Sequence, residues 1–182
     1  TAFTAWASVL WGTENYTEWE CSVSTNAIDN QKIWAGLKLT NDQLVATDAD
    51  QAYFKFQTDA TNSEAFTDFT LLHFVHSIGG TDYISALPIT VAANTTYHLK
   101  VVIDGDRKAT IFVNGQQYNV TTTAGSTGGT AVTAVSEGAT VTKTAALTDD
   151  VDFIPYIGIE AGAAAAEALD VHYQAINRII FE

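Results

Sequence analysis

The run Tyr97-His-Leu-Lys-Val-Val-Ile103, Asp104-Gly-Asp106, Lys108-Ala-Thr-Ile-Phe-Val113, Asn114-Gly115, Gln116-Gln-Tyr-Asn-Val120 decides the fold. Tyr97, Leu99, Val101 and Ile103 fall on one face of an extended strand, and His98 and Lys100 on the other. Asn114-Gly115 between apolar runs marks a tight hairpin, because both central residues of a type I′ turn need positive φ. Asp104-Gly105-Asp106 closes the preceding hairpin as a slightly longer loop. The stretch therefore reads as an antiparallel meander with an inside and an outside.

The alternation extends through most of the chain. Trp19, Cys21 and Val23 alternate with Glu18, Glu20 and Ser22, and Ile33, Ala35, Leu37 and Leu39 with Trp34, Gly36 and Lys38. Short strands are predicted at Ala52–Gln57, Thr70–Ser77 and Tyr83–Leu87. Phe153–Glu160 is apolar on both faces, as a covered central strand would be, and Leu169, Val171, Tyr173 and Ala175 share a face near the end. Strands separated by Gly, Asn, Asp and Thr predict an all-β antiparallel sandwich rather than alternating α/β units. Pro155 is placed early in its strand and Pro88 in a connection. Ala163–Leu169, barely two turns of helical pattern, is read as a loop or single turn rather than a helix.

The chain's 182 residues suit one sandwich domain spanning 1–182, and 47 % apolar content supplies a core. Eight basic residues against 21 acidic ones give a net charge of −13, which repels a phosphate backbone and an anionic membrane surface. No apolar run approaches the ~18 residues that a membrane span requires. Thr1 to Leu10 has neither a basic nor an apolar leader region, so no secretory signal is expected there. Cys21 stands alone, which excludes an intramolecular disulfide and predicts a buried structural thiol.

Thr121–Asp150 differs from its surroundings: Thr, Ala, Gly and Ser dominate and large side chains vanish. Such a stretch cannot build its own core. It is expected to be a surface loop or an extended arm lying on a neighbour, so that removal of Thr121–Leu147 would leave the fold intact and weaken association.

The Tyr97–Gly115 hairpins resemble the central hairpins of the concanavalin A-like (laminin G-like) jelly-roll superfamily, and Leu169–Ile176 resembles that fold's last strand. Ile33–Leu39 and Ile154–Ile159 resemble segments of phage and other viral structural proteins built on this sandwich. The resemblance implies a jelly roll and, from its viral members, a virion surface protein: a decoration, spike or fibre-associated sandwich. It would be assembled in the host cytoplasm and would contact copies of itself and other virion proteins. Host surface glycans are a further expected partner, and a lectin-like carbohydrate-binding module is the alternative function.

Glycosidases of this fold place acids at i, i+2 and i+4 of one strand, and a retaining mechanism needs two carboxyl groups about 5–5.5 Å apart. Glu18-Trp19-Glu20-Cys21-Ser22 ends on Ser22, and Asp48-Ala49-Asp50 is followed by Ala52, so no catalytic residue is assigned and no enzyme is expected. Glycoside hydrolysis stays as a remote alternative. Asp104-Gly105-Asp106 and Asp48-Ala49-Asp50 match no calcium loop, and His73 and His76, three apart on a strand, point to opposite faces. No metal site and no cofactor are therefore expected. For sugar contact the candidates are Trp34, on the polar face of its strand, with His73 and Tyr83 beside it.

Overall fold

The computed structural model describes residues 2–5, 10–40, 48–58, 66, 68–125, 127–162 and 167–179. Among the described residues there are thirteen strands: β1 (Ala2–Ala5), β2 (Trp11–Gly12), β3 (Tyr16–Thr25), β4 (Gln31–Lys38), β5 (Gln51–Gln57), β6 (Leu71–Ile78), β7 (Thr81–Thr90), β8 (Tyr97–Ile103), β9 (Ala109–Val113), β10 (Gln116–Tyr118), β11 (Thr130–Ala131), β12 (Asp152–Ala161) and β13 (Leu169–Ile179). They form an eight-stranded sheet in the order β1-β12-β4-β5-β6-β7-β11, with β2 beside β12, and a five-stranded sheet in the order β10-β9-β8-β3-β13. All pairings are antiparallel except β11 on β7.

The predicted meander is β8-β9-β10. Asn114 and Gly115 have φ of 51° and 80°, the left-handed pair that a type I′ turn demands. In the longer loop Asp104 Oδ1 accepts bonds from the N–H groups of Asp106 and Lys108, and Arg107, not Gly105, takes the positive φ.

Strand alternation builds the core between the sheets. Trp19, Cys21, Val23, Leu99, Val101, Ile103, Ile111 and Val113 of the smaller sheet meet Ile33, Ala35, Leu37, Phe54, Phe56, Phe74, Leu87 and Phe153 of the larger. Cys21 is buried as expected, and burial, with Glu20 adding to it, raises its thiol far above the ordinary range.

Several expectations need correction. Pro88 lies inside β7 rather than in a connection; it is exposed and sits beyond Ala86, the last residue of β7 paired with β11. The 163–166 part of the Ala163–Leu169 reading lies outside the described residues, and Leu169 already belongs to β13.

The 121–150 arm lies on its own sandwich. β11 pairs with β7, Val120 N–H donates to Thr142 O, and Ala134 bridges to Tyr118. Near its end Thr144 exchanges backbone and side-chain bonds with Ala109, and Leu147 is 1 % exposed within the core. A segment poor in large side chains still needs its backbone groups paired, and the nearest unpaired strand edges supply partners.

Candidate functional site

β4, β5, β6 and β12 carry apolar residues on the face toward the core and a different set on the face turned away. Register aligns this outer set into rows across five strands: Gly158–Trp34–Lys55–His73–Ala86, then Tyr156–Gly36–Tyr53–Val75–Ile84, then Ile154–Lys38–Gln51–Ser77–Asp82. Trp34, Tyr53, Val75, Ile84 and Tyr156 form a second apolar cluster together with Phe66.

Two glycines shape the face. A Cβ on Gly36 would meet Tyr53 Cα at 2.4 Å and Ala52 O at 2.5 Å, and one on Gly158 would meet Trp34 Nε1 at 2.8 Å. Trp34, Lys38, Tyr53 and Tyr156 pack closely around Gly36. The Trp34 and Tyr156 rings lie nearly parallel at 6.2 Å. Lys38 Nζ sits 4.4 Å from the centre of the Tyr156 ring and 3.9 Å from Asp48.

The polar atoms here are buried, and several lack partners. Trp34 is 4 % exposed, Tyr53 2 % and His73 0 %. Trp34 Nε1, the Tyr53 hydroxyl and Gln51 Oε1 accept or donate no hydrogen bond to a described residue, and neither His73 ring nitrogen makes a well-formed one. Gln51 Nε2 donates to Ser77 Oγ at 2.9 Å, and Ser77 Oγ donates to Asp82 Oδ1 at 2.5 Å.

Burial dominates the electrostatics. It pulls His73 down to about 4, with Lys55 pushing the same way and the Leu71 backbone and Asp68 opposing it. It pulls Lys55 down to about 7, reinforced by Lys32. Burial, with Asp82 and Asp48 adding to it, lifts the Tyr53 hydroxyl above its ordinary value. Phe66 stacks on His73 at 4.0 Å and 9°, and its ring centre is 5.4 Å from Lys55 Nζ.

Of the three residues expected to touch sugar, Trp34 and His73 share one row, although Trp34 is buried rather than exposed. Tyr83 is corrected: it lies on the opposite face of the sheet, stacked on His76 at 4.7 Å. His76 faces inward, buried, as three-residue spacing from His73 requires. The sequence reading missed Lys38, Tyr53, Lys55 and Tyr156. The signal was present in β5, where Gln51, Tyr53, Lys55 and Gln57 alternate strictly with Ala52, Phe54 and Phe56.

The acidic pairs hold structure. Asp48 accepts bonds from Leu39 N, Thr40 N and Thr40 Oγ1; Asp50 accepts from Gly79 N and Thr148 Oγ1; Glu18 and Glu20 face Lys100 on the outer side of the smaller sheet. Among the described residues no group of three or more His, Cys, Asp or Glu could hold a metal ion.

No protein-family model matches the chain, and no curated protein matches it. Solved structures do match in fold. A family 7 alginate lyase, A1-II′, crystallised as a Tyr-to-Phe variant with product, superposes with a TM-score of 0.54 at 12 % identity, over 94 % of this chain and 66 % of that one. The alginate lyase from Corynebacterium sp. gives 0.53 at 11 %, over 94 % and 62 %. The alginate lyase from Alteromonas sp. 272 gives 0.50 at 14 %, over 92 % and 73 %. The chain thus spans just under two thirds of the length of the first two.

These neighbours overturn the expectation that a chain without a row of acids is no enzyme. They are lyases by name, and a lyase breaks its bond by elimination, which a search for paired hydrolytic carboxylates does not test. What the likeness establishes is architecture: the chain is an all-β jelly-roll sandwich of the concanavalin A-like kind, the fold on which those polysaccharide lyases are built.

Proposed function

We propose that the chain is a carbohydrate-active sandwich that takes an acidic polysaccharide on the outer face of its larger sheet. The observation that carries this is the row Trp34–Lys55–His73 beside Tyr53 and Tyr156, which gathers aromatic rings and titratable groups on one face, with Trp34 Nε1 and the Tyr53 hydroxyl buried and bonded to no described residue. Lys32, Lys38 and Lys55, three of the eight basic residues of a chain at −13, lie on this face, Lys32 beside Glu160 and Lys38 beside Asp48, and offer ammonium donors to a carboxylated sugar. The fold shared with alginate lyases supports the same class. Phe66, seated on His73, has to give way to a ligand that reaches the row.

Titration calorimetry with alginate and with a neutral glucan tests it. Alginate is expected to bind at least about tenfold more tightly than the glucan, and Trp34→Ala to weaken that binding at least about tenfold. Equal affinity for both polymers, or no effect of the substitution, would overturn it.

A second reading, cleavage by elimination, is favoured by His73 and Lys55 side by side, with burial favouring the uncharged base in each. Its readout is the ultraviolet absorbance of an unsaturated sugar end, abolished by His73→Asn. The virion-surface placement rests on the resemblance of Ile33–Leu39 and Ile154–Ile159. It adds host glycans as ligand and other virion proteins as partners, and mass spectrometry of purified particles decides it.

A further inference from the structure

β13 is the longest strand that ends a sheet among the described residues: the other terminal strands are β1, β10 and β11, of four, three and two residues, whereas β13 has eleven. Among the described residues it pairs only with β3, so every second N–H and C=O along it points away from that partner. Asp170 to Tyr173, Ala175, Asn177 and Arg178 are all exposed. Two of the four large exposed hydrophobic residues among those described, Val171 at 40 % and Tyr173 at 41 %, sit on it. Edge strands are ordinarily guarded by Pro, Lys or a bulge. β13 has neither Pro nor Lys, and its bulge, between Val171 and Tyr173, leaves Tyr173–Ile179 regular.

We propose that Tyr173–Ile179 pairs antiparallel with the same segment of a second copy, joining two five-stranded sheets into one. The segment is self-complementary. A two-fold axis at Ile176 sets Ile176 against itself, Ala175 opposite Asn177, Tyr173 opposite Ile179, and Gln174 opposite Arg178. Register with β3 puts Gln174 and Arg178 on the core-side face and Ala175 and Asn177 on the other, so each pair lies on one side. The Arg178 guanidinium can then donate to the Gln174 amide oxygen of the second copy. Charge selects this place as well. The chain carries −13, yet Tyr173–Ile179 contains no acid and one arginine, so the paired segments set no carboxylate against another.

Sedimentation velocity over a concentration series tests the pairing. The wild-type chain is expected to reach twice the monomer mass. Tyr173→Lys with Asn177→Lys, both on the exposed face, is expected to weaken association at least about tenfold. Hydrogen exchange on the wild-type protein gives a measurement that no variant can confound: amides within Tyr173–Ile179 slow at high concentration and quicken on dilution. A wild-type chain that stays monomeric, a double variant that associates normally, or exchange in β13 that ignores concentration would each overturn the proposal. Protection of β13 only in the presence of a different protein would assign the edge to that partner instead.

Discussion

Single residues set the outer face. Gly36 and Gly158 both stand where a side chain would collide, but with different obstacles. For Gly36 the obstacles are backbone atoms of β5, which move only if two strands part; for Gly158 they are the ends of the Trp34 and Tyr156 rings. Gly36→Ala is therefore expected to cost about 2–4 kcal/mol in urea unfolding, and Gly158→Ala no more than about 1–2 kcal/mol. Gly158→Ala should nevertheless weaken polysaccharide binding, since the new methyl displaces the Trp34 indole. Equal stability losses for the two variants would contradict this account. The sequence marks Gly36 only as a small residue on a polar face and Gly158 as one in a strand apolar on both faces, because the atoms they accommodate belong largely to strands distant in the chain.

At the scale of elements, strands and turns were legible and the arm was not. The β8-β9-β10 meander follows from local chemistry: alternation, an Asn-Gly turn, and an Asp that bonds its own loop. Thr121–Asp150 has no comparable local signal, and its attachment rests on edges of β7, β9 and β10 that become available only after folding. The expectation that Thr121–Leu147 is dispensable fails for that reason. Removing it takes Leu147 from the core and Thr144 from the Ala109 amide. Leu147→Ala alone should cost about 2–4 kcal/mol, and deletion of Thr121–Leu147 should abolish the cooperative thermal transition seen by circular dichroism. A sharp transition in the deletion variant would show the arm to be peripheral.

At the scale of the whole molecule, stability depends on pH through two histidines. His73 and His76 are each held at about 4 by burial, below an ordinary value of 6.5. The folded state favours their neutral forms, so their contribution is complete above pH 6.5 and lost as pH falls toward 4. Each accounts for on the order of 2–3 kcal/mol over that window. Replacing His76 with Phe, which keeps a ring against Tyr83, should flatten the acid limb of a melting-temperature profile relative to wild type. An unchanged slope would show that carboxylates alone govern the acid transition.

The sequence by itself determined the all-β class, the position of the meander, the inward face of most strands and the burial of Cys21. Each of these depends on a period of two or on a turn that neighbouring residues specify. Tertiary structure alone decided that the arm folds back on its own sheet, that Tyr83 stands apart from Trp34 and His73, and that Lys38, Tyr53, Lys55 and Tyr156 join them. Register between strands brings those side chains together, and the pairing of β12 with β4, far apart in the chain, is one that no local turn specifies.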